Sequence, residues 1–212
     1  IPHQLKEKLE RTEFRFHTKA VQVSPNAVTT SEGDTISCKG VIVAAEADHL
    51  IPGFESSMKW QETATYYFSA DHSPLNKHLI ALNYHAESDI NLFSVPSDVA
   101  ASYAPKGKHL ISVSLKNIPK KSTEQVAEDI KRELSLAFGE SILQWKFIKN
   151  YHIHKALPTP ENMKAEIPFT ETRLKPGLYL AGDYLLNGSI NGAMRSGHLA
   201  AQAAIFDYNA NA

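Results

Sequence analysis

Residues 177–204 read "GLYLAGDYLLNGSINGAMRSGHLAAQAA", and this stretch decides the fold. Leu178, Tyr179, Leu180 and Ala181 form a short apolar run, as expected of a buried strand, ending in Gly182-Asp183. In open α/β sheets ligands bind beyond the carboxyl ends of the strands, so Asp183 stands where a ligand would be. A carboxylate there accepts hydrogen bonds from sugar or ribityl hydroxyls. After the loop, Ser189 can cap a helix whose free N–H groups and positive dipole end face the same crevice. Ala193, Gly197, Ala200 and Ala204 then fall at i, i+4, i+7 and i+11, a small stripe that admits a close neighbour. The plainer alternative is a strand, a turn and an Ala-rich core helix with a solvated Asp, since Gly and Asp are ordinary turn residues. Asn187-Gly188-Ser189 also matches a glycosylation sequon; with a single cysteine and no secretory pattern it reads as turn chemistry.

The 212 residues suffice for one large or two small domains. With 42% apolar and 21% charged residues the composition is that of a globular protein, and a net charge of −1 leaves no footprint for nucleic acid. No window approaches the ~20 apolar residues of a membrane span. The lone Cys38 excludes an intrachain disulfide and fits a reducing, cytoplasmic setting. "IPHQLKEKLE" reads as Pro2 opening an amphipathic helix with Leu5 and Leu9 four apart, not as a signal peptide. Ile1 in place of Met fits either a trimmed tag or the later part of a longer protein.

"FRFHTKAVQVSPNAVTTSEGDTISCKGVIVAA" predicts a three-strand meander, with Phe14, Phe16, Val21 and Val23 alternating, and then "GVIVAA" as a strand buried on both faces. Pro52 and Gly53 mark a crossing into a separate unit. There we expect strands at 61–70, 78–85, 90–95, 108–116 and 145–154, and a helix at 122–138. Ser122 and Gln125 form a capping box, Val126, Ile130 and Leu134 the apolar stripe, and Gly139 the stop. Strands with one covering helix make an α+β layer.

The quoted stretch resembles the C-terminal signature of the FAD-dependent flavin-containing amine oxidase superfamily, which includes phytoene desaturases and protoporphyrinogen oxidases. That signature is an apolar strand, Gly-Asp, a loop, then Gly-Ser-(Ile/Val)-(Asn/Glu)-Gly-Ala and Ser-Gly in the helix. "IPHQLKEKL" and "FRFHTKAVQV…ISCKGVIVAAEA" are similar to the family's central segments. "SDVAASYAPKGKHLISVSL" and "YHIHKALP" are similar to substrate-domain segments of its phytoene-desaturase-like branch. The resemblance implies an α/β FAD-binding part at 1–52 and 161–212 and an α+β substrate domain at 53–160 with a mixed sheet and a covering helix. It further implies that Asp183, after Gly182, holds the FAD ribityl or pyrophosphate region. The backbone at Ile190 and Asn191, beyond Ser189, would face the flavin pyrimidine edge. Val21 would offer main-chain hydrogen bonds to the adenine, and Ala44 within "VAA" would line the crevice. The family's G-x-G-x-x-G on an N-terminal βαβ unit is absent, so the Rossmann-like fold is expected to be partial and the chain a C-terminal portion. The helix 190–205 would then lack its natural neighbour, and oligomers could form through a bare sheet edge.

His152 and His154 share a strand face at a spacing that could ligate a metal, but no third ligand stands nearby in sequence, so no metal site is expected. By the resemblance "YHIHKALP" returns toward the flavin, which makes Tyr151, His152, His154 and Lys155 candidates for the substrate side. Tyr67 faces away from Tyr66 and Phe68, as core or as an apolar substrate wall. Cys38 has only Lys39 as a basic neighbour and reads as an idle thiol. Two functions follow. One is an FAD-dependent oxidoreductase acting on an apolar, isoprenoid-like molecule, with an amine as the alternative, inactive as this chain alone. The other is a cofactor-free binding or assembly module keeping the substrate-domain fold.

Overall fold

The computed structural model describes residues 2–83, 85 and 87–210, and of Asn162 the backbone alone. Ile1 and Tyr84, the latter in the expected strand 78–85, lie outside the described residues. Two compact units emerge: residues 1–58 with 160–212, and residues 59–159.

The first unit opens with α1 (Pro2–Glu7), which buries none of its residues; Leu5 and Leu9 are exposed. β1 (Ala20–Ser24), β2 (Ala27–Thr30) and β3 (Thr35–Ser37) form an antiparallel meander. Phe14 and Phe16 were expected in its first strand but precede it. His17 turns the chain at φ 56°, and the two rings stack on each other at 6.0 Å with Lys6 Nζ above them. β4 (Val41–Val43) follows.

The second unit holds β5 (Trp60–Ala70), β6 (Ile80–Leu82), β7 (Ile90–Ser94), α2 (Pro96–Val99), β8 (His109–Leu115), α3 (Thr123–Phe138) and β9 (Lys146–Pro158). Its sheet runs β6-β7-β8-β5-β9. The expected mixed sheet is corrected: every pairing is antiparallel. The helical crossover does make β8 and β9 parallel to each other, but β5 lies between them and is antiparallel to both. Val126, Ala127, Ile130 and Leu134 of α3 pack on Tyr66, Phe68, Ile111, Val113 and Leu115. The helix starts where the sequence says it should. Ser122 Oγ accepts from Gln125 N–H at 3.3 Å and Gln125 Oε1 from Ser122 N–H at 3.2 Å; Gly139, at φ 92°, ends it. Ser122→Ala is expected to cost about 1 kcal/mol, a fall of roughly 2–4 °C in Tm by thermal melt.

The chain then returns to the first unit as β10 (Arg173–Lys175), β11 (Leu178–Leu180) and α4 (Ile190–Ala210). The sheet order is β10-β11-β4, with β11 and β4 parallel in the register Leu178↔Val41, Tyr179↔Ile42, Leu180↔Val43. Central β11 is buried on both sides. Leu178 and Leu180 join Val41, Val43, Val23 and Ile51, while Tyr179 and Ala181 meet Ala200 and Ala203 of α4. β4 does not match its expectation of burial on both faces. Val41 and Val43 are buried, but Ile42 is 41% exposed, because β4 is the sheet edge and α4 lies over β11.

Candidate functional site

β11 delivers Gly182 and Asp183 to the carboxyl end of the parallel pair, and β4 delivers Ala44 to the same end. The Gly182 N–H donates to Ser196 Oγ at 2.9 Å, and that hydroxyl donates to Ala193 C=O at 2.8 Å. Ser196, fully buried, thereby ties the strand tip to α4. Its role escaped the sequence reading because the contact spans fourteen residues; the signal was the small "SG" pair in the helix. Ser189 caps α4, its Oγ accepting from Gly192 N–H at 2.9 Å. A Cβ on Gly192 would lie 2.3 Å from Asn187 C=O, so only glycine lets the loop close onto the helix start.

These contacts leave specific groups without a protein partner among the described residues and open to a ligand. Asp183 is half-buried, and among the described residues its carboxylate has no hydrogen-bond or salt-bridge partner. The amide N–H groups of Ile190 and Asn191 have no acceptor among the described residues, as expected for a first helical turn, and both residues are exposed. A ligand that carries hydroxyl groups can satisfy both kinds of group, donating to the acid and accepting from the amides. Tyr184 packs its ring on Gly182, whose Cβ would lie 2.2 Å from Tyr184 Cε1. Burial first, then Asp48 and Asp183, push its phenol up to about 12, so it stays neutral at working pH. Val21 stands in β1 at the register shift between Ala20 and Gln22 and is exposed.

In the second unit the candidates on β9 divide between the two faces of the sheet. His152 pairs with Ala64 on the α3 side, its ring 6.3 Å from Tyr66 and its Nε2 2.9 Å from Asn150 Nδ2. His154 Nδ1 is 3.6 Å from Glu62 Oε2. Tyr151 lies on the opposite face, edge-on to Tyr67 at 6.0 Å with Lys149 Nζ over its ring at 4.7 Å. Lys155 is exposed. Tyr151 is therefore joined to Tyr67 and separated from the two histidines. The face away from α3 carries two rows read across the strands: Leu82–Leu92–Ser114–Thr65–Tyr151 and Ile80–Ser94–Ser112–Tyr67–Lys149. Among the described residues no three His, Cys, Asp or Glu side chains converge as metal ligands.

The family model described as "Flavin containing amine oxidoreductase" matches residues 1–205. The chain belongs to this family. FAD, the cofactor expected from the sequence, is the cofactor of flavin containing amine oxidoreductases. No curated protein matches. Among solved structures, a redesigned putrescine oxidase is 10% identical with a TM-score of 0.64, covering 99% of this chain and 52% of its own. Cyclohexylamine oxidase from Brevibacterium oxydans IH-35A is 9% identical with a TM-score of 0.60, covering 91% and 48%. Reduced UDP-galactopyranose mutase is 18% identical with a TM-score of 0.56, covering 76% and 39%. At these identities the likeness shows the fold: several sheets with helices, similar to FAD-dependent oxidoreductases. The chain spans about half the length of the solved structures that it matches. No described helix of this flavin containing amine oxidoreductase is long and apolar enough to cross a membrane.

Proposed function

We propose that this chain is the C-terminal portion of a cytoplasmic FAD-dependent oxidoreductase that removes a hydride equivalent from a C–C or C–N bond of an apolar, isoprenoid-like small molecule. The observation that carries the reading is the half-buried Asp183 carboxylate without a hydrogen-bond donor, set at the end of two parallel strands beside the bare amides of Ile190 and Asn191. A ribityl chain supplies hydroxyl donors to the carboxylate, and acceptor atoms of the cofactor supply what the amides lack. Asp183 would accept from the ribityl hydroxyls, the α4 amides would donate at the ring edge, and Ala44 would line the crevice. When bound, FAD supplies the redox chemistry, with the electrons passing to oxygen or another acceptor. The Rossmann-like frame would be completed by a dinucleotide-binding βαβ unit elsewhere in the polypeptide. The sheet face carrying Tyr67, Tyr151, Leu82 and Leu92 supports the apolar substrate, its aromatic pair offering a wall at one end.

The test is the polypeptide of the complete reading frame. It should purify yellow, with a flavin spectrum that bleaches on reduction. A colourless, folded protein that gains no thermal stability from added FAD would instead establish a cofactor-free module.

A further inference from the structure

We propose that the second unit carries a binding site for a small amphipathic cation, an organic ammonium with an apolar tail. The site is the cavity between the C-terminal half of α3 and the β6–β7 edge of the sheet. It lies on the α3 side, opposite Tyr67 and Tyr151, and stands apart from the flavin reading.

The cavity holds about 600 Å³, within the range of small-molecule sites. Ala81, Ile90 and Phe93 wall it from the sheet, and Leu134, Ala137 and Phe138 from the helix. Ile90, Phe93 and Leu134 are buried, and Phe138 meets Phe93 edge-on at 5.0 Å. β6, the edge strand, is three residues long and ends at Leu82, whereas α3 runs on to Phe138. Beyond β6 the helix therefore faces no further strand of its unit among the described residues.

Glu133, half-buried on α3, stands at the polar end of this apolar space. Its Oε1 accepts from Ser88 Oγ at 2.5 Å and from Asn83 Nδ2 at 2.9 Å. Asn83 Nδ2 also donates to Ser88 Oγ at 2.7 Å. Both donors are fixed in turn: Asn83 Oδ1 accepts from His85 N–H at 3.1 Å, and Ser88 Oγ from Ile90 N–H at 2.9 Å. The carboxylate is thus oriented, but only by neutral donors. Among the described residues Oε2 has no donor, and no Lys, Arg or His pairs with Glu133.

An anion in that setting attracts a cation more strongly than one in open water does, because solvent screens it less. The surroundings carry the same sign. Glu87 lines the cavity too, and an adjoining cavity of about 470 Å³ adds Asp89 and Asp129 against Lys120 and Lys121. Of these, Lys121 is already paired to Asp129 at 2.6 Å. Lys116 Nζ is turned to the His85 carbonyl at 3.2 Å. An ammonium brings both charge and N–H donors to Oε2, and its tail covers the wall formed by Phe93, Leu134 and Ala137. A carboxylate or an alcohol lacks the charge. A bare metal ion lacks the tail, and no three metal-ligating side chains converge among the described residues.

Calorimetric titration of the polypeptide of the complete reading frame with n-hexylammonium tests this, with hexanoate and 1-hexanol as probes bearing the same tail. The ammonium should bind at least ~10-fold more tightly than either control, as a hydrogen bond to a charged group implies. Glu133→Gln keeps an acceptor oxygen for Ser88 and Asn83 but removes the charge. It should weaken hexylammonium binding at least ~10-fold and leave the Tm nearly unchanged. Ala137→Phe fills the cavity from an exposed helix position and should remove binding. Equal affinity for the three probes overturns the proposal, as does an absence of binding. An isotherm unchanged in either folded variant also overturns it, because the ammonium would then sit elsewhere. Should Glu133→Gln fail to fold, Ala137→Phe decides alone. A protein that binds no FAD but takes hexylammonium through Glu133 sinks the flavin reading and keeps this site; a flavoprotein that ignores the probe does the reverse.

Discussion

Asp207→Ala should cost about 3 kcal/mol and lower the Tm by roughly 6–12 °C. Asp207 is 8% exposed near the end of α4, where it accepts from Arg173 Nη1 at 2.8 Å and from the Tyr179 hydroxyl at 2.8 Å. These bonds fasten the last turns of α4 to β10 and β11 at once. Removing the carboxylate takes that acceptor from a guanidinium and from a phenol on a residue that is 2% exposed. Breaking a buried pair is expensive because the surviving partner keeps its desolvation penalty. The estimate sits at the lower end because the Arg173 side chain is 31% exposed and recovers part of its hydration. Burial first, then the bond to Asp207, hold the Tyr179 phenol above its ordinary value of 10.0. A raised folded-state value means stability is intact below that ordinary value and falls as pH rises through the shifted one. The wild type should therefore begin to lose stability only in the alkaline range above 10, whereas the Asp207→Ala loss is present at neutral pH. A neutral-pH melt of the variant indistinguishable from wild type would show that α4 is held by its small apolar contacts alone.

Those apolar contacts were the legible part. The run 178–181, the Ser122 capping box and the Val126–Ile130–Leu134 stripe follow from local periodicity and appear as β11 and α3. Three features were not legible, each for a long-range reason. Ile42 is as apolar as its neighbours, and only the absence of a second strand beside β4 exposes it. The antiparallel sheet of the second unit depends on β5 inserting between β8 and β9, which no local pattern specifies. Alternation along "YHIHK" separates Tyr151 from the histidines, but which face α3 covers follows from register with β5. The place of Asp183 at the strand tip could be read from the sequence, whereas Ser196, the residue that holds that tip, required the fold.

Asp183→Ala should weaken FAD binding by the polypeptide of the complete reading frame by roughly 10- to 100-fold, the range for losing a hydrogen bond to a charged acceptor. The same change should do little to the unliganded protein. Asp183 has no hydrogen-bond or salt-bridge partner among the described residues, so its removal frees no donor. Its negative charge also acts with Asp48 against ionisation of the Tyr184 phenol beside it, so its loss should bring the phenol down from about 12. Asp207 and Asp183 thus differ in kind: the first is matched inside the fold, and the second has no hydrogen-bond or salt-bridge partner among the described residues. Titrating the apoprotein with FAD and following flavin fluorescence gives Kd, and a thermal melt without FAD gives stability. Asp183→Asn retains an acceptor oxygen without the charge and should fall between wild type and alanine. A large loss of stability in Asp183→Ala would make the acid structural. An unchanged Kd would place the nucleotide away from the end of β11, because the carboxylate left without a donor would then have no ligand to meet.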